Sequence, residues 1–167
     1  MVSVKIEKAL NKQIRIEAES SQIYLSMACW AESKGFEGIA KFMFAQADEE
    51  REHMLKLLKY LIERGGNAEI SELSKPASIF NSPKEMFEEV LKHEIFVSES
   101  INDLVAVTFE EKDFATHNFL QWYVAEQIEE EATARTILDK IYLIGDDKSG
   151  FYLFDKDVQS MISPSSE

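Results

Sequence analysis

The chain has 167 residues, with 31 Asp+Glu against 18 Lys+Arg and three His, for a formal charge of -13. Its hydrophobic fraction of 45% suits one packed globular unit and excludes a disordered acidic polymer. So negative a surface also excludes nucleic acid as a partner, because phosphate binding needs clustered Lys and Arg. The longest uncharged runs, 20–31 and 114–125, fall well short of the ~20 residues of a membrane span, so no membrane partner is expected. The first residues carry no apolar leader, and the single Cys29 suits a reducing compartment, so a cytoplasmic location is expected.

Six Gly and three Pro punctuate the chain in clusters. The first helix is predicted over about 4–34, ending at Gly35, and the second over about 37–64, ending at Gly65-Gly66. A connection over about 65–82 follows, containing Pro76. The third helix is predicted over about 83–112, opened by Ser82 as N-cap, Pro83 in the first turn and Glu85 closing a capping box. The fourth covers about 113–144 and stops at Gly145, a short fifth covers about 149–159, and a polar tail, 162–167, is expected to be disordered.

Loop lengths predict the topology. Two or three residues between the first and second helices, and between the third and fourth, make each pair antiparallel. The long connection can reach ~60 Å, against ~42–45 Å for a helix of this length, so it can return along the whole bundle. The expected fold is all-α: a four-helix bundle with one long crossover and a short C-terminal fifth helix.

Taken at spacings of three and four, each long helix has an apolar stripe interrupted near its middle by acid. The stripes are Ile6, Leu10, Gln13, Glu17 and Tyr24; Phe42, Gln46, Glu49/Glu50, His53 and Leu57; Phe87, Val90, Glu94, Val97 and Ile101; and Tyr123, Gln127, Glu130, Ala134 and Ile137. The helix midpoints fall at about residues 19, 50, 97 and 129, so Glu17, Glu50, Glu94 and Glu130 should share one level. Buried carboxylates must be protonated, paired or bound to metal, and no Lys or Arg lies on the stripes near this level. A bound cation is the economical answer. Glu50-x-x-His53 adds an imidazole on the same helix face, and oxygen-rich ligands with one nitrogen suit Fe or Mn rather than structural zinc.

These residues, with Glu49-Glu50-x-x-His53 and Trp122-Tyr123-x-x-Glu126-Gln127-x-Glu129-Glu130, resemble a haem-free bacterial ferritin over essentially the whole chain, as one ferritin-like domain, 1–167. The resemblance implies a di-iron ferroxidase centre with Glu17, Glu50 and His53 on one iron. Glu50 would bridge to a second iron held by Glu94 and Glu130, with Gln127 a weaker or neighbouring group. It further implies a third iron site of Glu49, Glu126, Glu129 and Glu130, and a Tyr24 that supplies an electron or a hydrogen bond. Dioxygen or hydrogen peroxide would be the oxidant, and a homo-oligomeric hollow shell of 24 subunits would store the mineral, with the fifth helix at the four-fold axes.

Departures narrow the resemblance. The fourth helix lacks a second ExxH, which suits iron turnover rather than a permanent cofactor. Arg51 stands where bacterioferritins carry a haem-ligating Met, so no haem is expected; Met43 and Met54 are read as core-filling. Asp113, His117 and Leu120 do not reproduce an acidic three-fold entry channel. The competing readings are a rubrerythrin-like di-iron peroxidase, for which one cysteine leaves no rubredoxin-type site, a non-catalytic metal-buffering bundle, and a helical interaction module with solvated acids.

Overall fold

A computed structural model describes residues 1–162. The expected tail lies outside the described residues, apart from Ile162. Four long helices, α1 (Val4–Ser33), α2 (Glu37–Glu63), α3 (Pro83–Glu110) and α4 (Phe114–Ile144), precede α5 (Lys148–Val158) and a single 3-10 turn, Gln159–Met161. None of these helices is long and apolar enough to cross a membrane.

Local chemistry sets the ends. Ser3 caps α1 by accepting from the Ile6 N–H, and Gly35 at φ 79° turns the chain out of it. Ser82 caps α3 by accepting from the Glu85 N–H at 3.1 Å. The reciprocal half of the expected capping box goes one residue further back: the Asn81 N–H donates to Glu85 Oε2 at 2.6 Å. Asp113, read from the sequence as the first residue of the fourth helix, is its N-cap and accepts from the Thr116 N–H. The helix ends otherwise move by one or two residues, within the fraying of terminal turns.

The N-terminus of α2 has no cap from its own loop. Asp155 of α5 supplies one, accepting from the Gly38 N–H at 3.2 Å and the Ile39 N–H at 3.0 Å. Position 38 requires glycine, because a Cβ there would lie 1.5 Å from the Asp155 carbonyl oxygen.

The crossover climbs along α1. Asn11 donates to the Asn67 carbonyl and accepts from the Glu69 N–H near one end, and Ser26 donates to the Ala77 carbonyl near the other. These anchors are 15 residues apart on α1, or about 22 Å at the helical rise. Phe80 then packs edge-on against Trp30 and starts α3 at the far end of the bundle. α2 and α3 are therefore parallel, as the connection length predicts.

Two apolar clusters fill the bundle. One joins Tyr24, Met27, Ile39, Met43, Phe87 and Ile137 with Phe154 and Val158 of α5. The other joins Ile6, Leu10, Leu57, Leu61, Ile101, Leu120 and Tyr123. Between them lies a buried polar layer: Gln13, Glu17, Gln46, Glu50, His53, Glu94, Ser100, Gln127 and Glu130.

Candidate metal centre

Each long helix sends one carboxylate into this layer, and all four, Glu17, Glu50, Glu94 and Glu130, are buried. None forms an ion pair with Lys or Arg among the described residues; the one basic neighbour is His53, whose Nδ1 lies 3.5 Å from Glu50 Oε2. Burial pushes the Glu17 and Glu50 carboxyls well above the usual range, and their acidic neighbours add to this. Glu94 is also raised by burial, and Glu130 is pushed up to about 9 by burial and then by Glu94. The layer therefore holds protons unless a cation takes their place.

The four acids do not play equal parts. Glu17, Glu50 and His53 bring one potential ligand atom each to within 4.8 Å of one another. Glu17 Oε2 and Glu50 Oε2 are buried there without any hydrogen-bond partner. Glu94 and Glu130 fall in no such triad among the described residues; donors hold them, as Gln13 holds the other oxygen of Glu17. The Tyr24 hydroxyl and Gln127 Nε2 donate to Glu94, the latter at 3.1 Å, and Gln46 Nε2 donates to Glu130 Oε2 at 2.9 Å. Tyr24 is thus a buried hydrogen-bond donor to a layer carboxylate, and burial raises its own hydroxyl far above the usual value.

A second triad joins Glu49, His53 and Glu126, again with one atom each within 4.8 Å. This differs from the expected grouping of Glu49 and Glu126 with Glu129 and Glu130. Gln127 and Glu130 face the core, which turns Glu129 out to solvent, and Glu130 is turned to Gln46. His53, shared by both triads, takes the remaining place. A cavity of about 750 Å³ lies beside it, lined by Glu49, Glu52, His53, Lys56 and Trp122. Lys56 Nζ lies 3.3 Å from the Trp122 ring centre, and that ring meets His53 edge-on at 5.2 Å.

Three residues had no role in the sequence reading. Gln13 donates to Glu17, Gln46 to Glu130, and Ser100 to Gln13. Gln13 and Gln46 were visible as polar members of apolar stripes, each four residues before a layer acid, a spacing that shares a helix face. Ser100 left no comparable signal. Arg51 is exposed, Met43 is fully buried and Met54 is half-buried.

A four-helix bundle with a long crossover and a buried carboxylate–histidine layer defines the class of protein. The ferritin-like domain model matches residues 7–144, and the chain belongs to that family. It is 47% identical over 161 residues to the probable bacterial non-heme ferritin-like protein of Haemophilus influenzae, covering 96% of this chain and 98% of that one. It is 43% identical to the bacterial non-heme ferritin of Campylobacter jejuni, covering 96% of each chain. Among solved structures, the open pore ferritin of Archaeoglobus fulgidus superposes with a TM-score of 0.93 at 44% identity, over 95% of this chain and 98% of that one. A humanized archaeal ferritin gives 0.96 at 42% identity over the whole of both chains. Within the family, the chain is similar to the bacterial non-haem ferritins.

Proposed function

We propose that the protein is an iron-storage ferroxidase: it binds Fe(II) in the buried layer, oxidises it, and keeps the Fe(III) product as mineral inside a shell of 24 copies of itself. The observation that carries this reading is the pair of orphaned carboxylate oxygens, Glu17 Oε2 and Glu50 Oε2, beside His53 in a layer without Lys or Arg. Ionising these buried carboxyls would cost several kcal/mol each, and a divalent cation offsets that cost as it displaces their protons. The names of the ferritin relatives support iron as the cation.

In this reading Glu17, Glu50 and His53 hold the first Fe(II). Glu50 reaches toward the second position, where Glu94 and Glu130 contribute and Gln127 stands close by. Hard anionic oxygen donors stabilise Fe(III) over Fe(II) and so favour oxidation. Two Fe(II) give one electron each; dioxygen takes the pair with two protons and leaves as hydrogen peroxide. With hydrogen peroxide as oxidant, the same two electrons and two protons yield two waters. The protons that the metals displace from the raised carboxyls are available for this step. Glu49 and Glu126, with His53, form the third iron position and lead the product toward the adjoining cavity, while Glu129 is exposed to solvent.

Assembly is carried by the outer face of α5. Phe154 and Val158 pack on the bundle while Tyr152 and Leu153 stay exposed, as an apolar pair that a neighbouring copy would cover. Aerobic addition of Fe(II) should give a di-iron(III) absorbance, followed by electron-dense cores in particles of 24-subunit mass. A folded sample that shows no such absorbance would sink the ferroxidase reading, and one that elutes at monomer mass would remove the storage shell.

A further inference from the structure

Three of the four layer acids are held by a glutamine amide. Gln13 donates to Glu17, Gln46 to Glu130 and Gln127 to Glu94, at 2.8, 2.9 and 3.1 Å. Among the described residues no amide donor reaches Glu50. Among the described residues, only Gln13 has its amide oxygen bound as well: Ser100 Oγ on α3 donates to Gln13 Oε1 at 2.7 Å. Gln13 is 1% exposed and Ser100 7%, so water does not compete for either bond.

We propose that Gln13, held by Ser100, is a positioning residue that ties one oxygen of Glu17 and thereby presents the other to metal. The inference rests on the proposed metal centre and adds a residue to it that touches no metal. With Glu17 ionised, as it is once a metal takes the place of its proton, the geometry has one consistent orientation. If the Gln13 amide flipped, its oxygen would face the Glu17 carboxylate, two acceptors in a dry interior, and its NH₂ would face the Ser100 hydroxyl. With the amide as it stands, Glu17 Oε1 is engaged and Oε2 is the buried oxygen without a partner. Glu17 is thereby set to bind through one oxygen. Glu50, free of any such tie, keeps the freedom that spanning two metal positions requires. The groups orienting a ligand typically control metal affinity by 10–100-fold.

The test is anaerobic titration of the full-length protein with Co(II), which dioxygen chemistry cannot confuse and whose visible bands report coordination. Gln13→Leu removes the amide at similar volume and should weaken the first Co(II) about 10–100-fold and change its spectrum. Ser100→Ala should act in the same direction and less, and the double variant should be no worse than Gln13→Leu alone, because Ser100 acts through Gln13. Additive losses in the double variant would overturn the relay. A Gln13→Leu protein with the parent affinity and spectrum would overturn the proposal; if that variant does not fold, an unchanged Ser100→Ala does the same. Glu17→Ala separates the two readings. Retention of the first Co(II) in Glu17→Ala removes the metal centre itself, whereas its loss there beside an unchanged Gln13→Leu removes only the positioning role.

Discussion

The two sides of the buried layer contain the same chemistry with different degrees of hydrogen bonding. A glutamine ties one oxygen of Glu17 on one side and of Glu130 on the other, while among the described residues Glu50 accepts from no amide and Glu94 has both oxygens engaged. On the α1–α2 side, Glu17 and Glu50 meet beside His53, and each leaves an oxygen with no partner. On the α3–α4 side, Glu94 and Glu130 are occupied by Tyr24, Gln127 and Gln46. Neutral donors stabilise a buried carboxylate by a modest amount without neutralising it, whereas an unpartnered one keeps the full cost of desolvation. The first side is therefore poised to bind a cation directly. On the second, Glu94 has both oxygens engaged and must give up a hydrogen bond to do so, while Glu130 keeps one oxygen without a donor. An ordered filling of the two metal positions, the Glu17–Glu50–His53 position first, follows from that difference.

The largest effect should come from removing the poised side. Glu50→Ala with His53→Ala should reduce aerobic Fe(II) oxidation, followed by the di-iron(III) absorbance in stopped flow, to the rate of iron in buffer. The Glu94→Ala protein should still bind one Co(II) per subunit tightly and lose the second, an asymmetry that calorimetry would detect; equal loss of both would erase the distinction between the two sides.

A pH effect comes next. The folded-state Glu130 carboxyl titrates at about 9 against an ordinary 4.5. A raised folded value means that folding takes up a proton. The stabilisation is complete below about 4.5 and is lost as pH rises toward 9. Urea unfolding of the metal-free protein should show stability falling across that window. Glu130→Gln, which keeps shape without charge, should flatten part of the fall, and bound metal should reverse it. Metal-free stability that rises with pH would contradict the protonated layer.

Tyr24→Phe should have a smaller effect, leaving the poised side intact while freeing one oxygen of Glu94. Oxidation should slow without stopping, and the first Co(II) should bind as before. Smallest of all is a change outside the layer. Asp155→Ala removes the cap on α2 at a cost of about 1 kcal/mol in urea unfolding, with Co(II) binding unchanged.

Much of this arrangement is legible in the chain. The stripes of Ile6 to Tyr24, Phe42 to Leu57, Phe87 to Ile101 and Tyr123 to Ile137 are buried as spacing predicts, and their acids share one layer because antiparallel and parallel helices alike align their midpoints. The capping of α2 by Asp155 was not legible, since the two are separated by 116 residues and nothing local links them. The capping box at Ser82 was half legible: side-chain type fixes that Glu85 turns back, and the local path of the chain decides that it meets Asn81 rather than Ser82.

By itself, the sequence determined which residues are helical, which face each helix buries, and that four carboxylates and a histidine share one level of the core. Those properties follow from periodicity, loop length and helical rise, which are local or additive along the chain. Only the tertiary structure decided which acids meet and which are tied up. That choice depends on donors from other helices: Tyr24 of α1 reaching Glu94 of α3, Gln46 of α2 reaching Glu130 of α4, and Ser100 of α3 orienting Gln13 of α1. A hydrogen bond of under about 3.2 Å is set by helix rotation and side-chain torsion together, and neither is written in the spacing of residues on one helix.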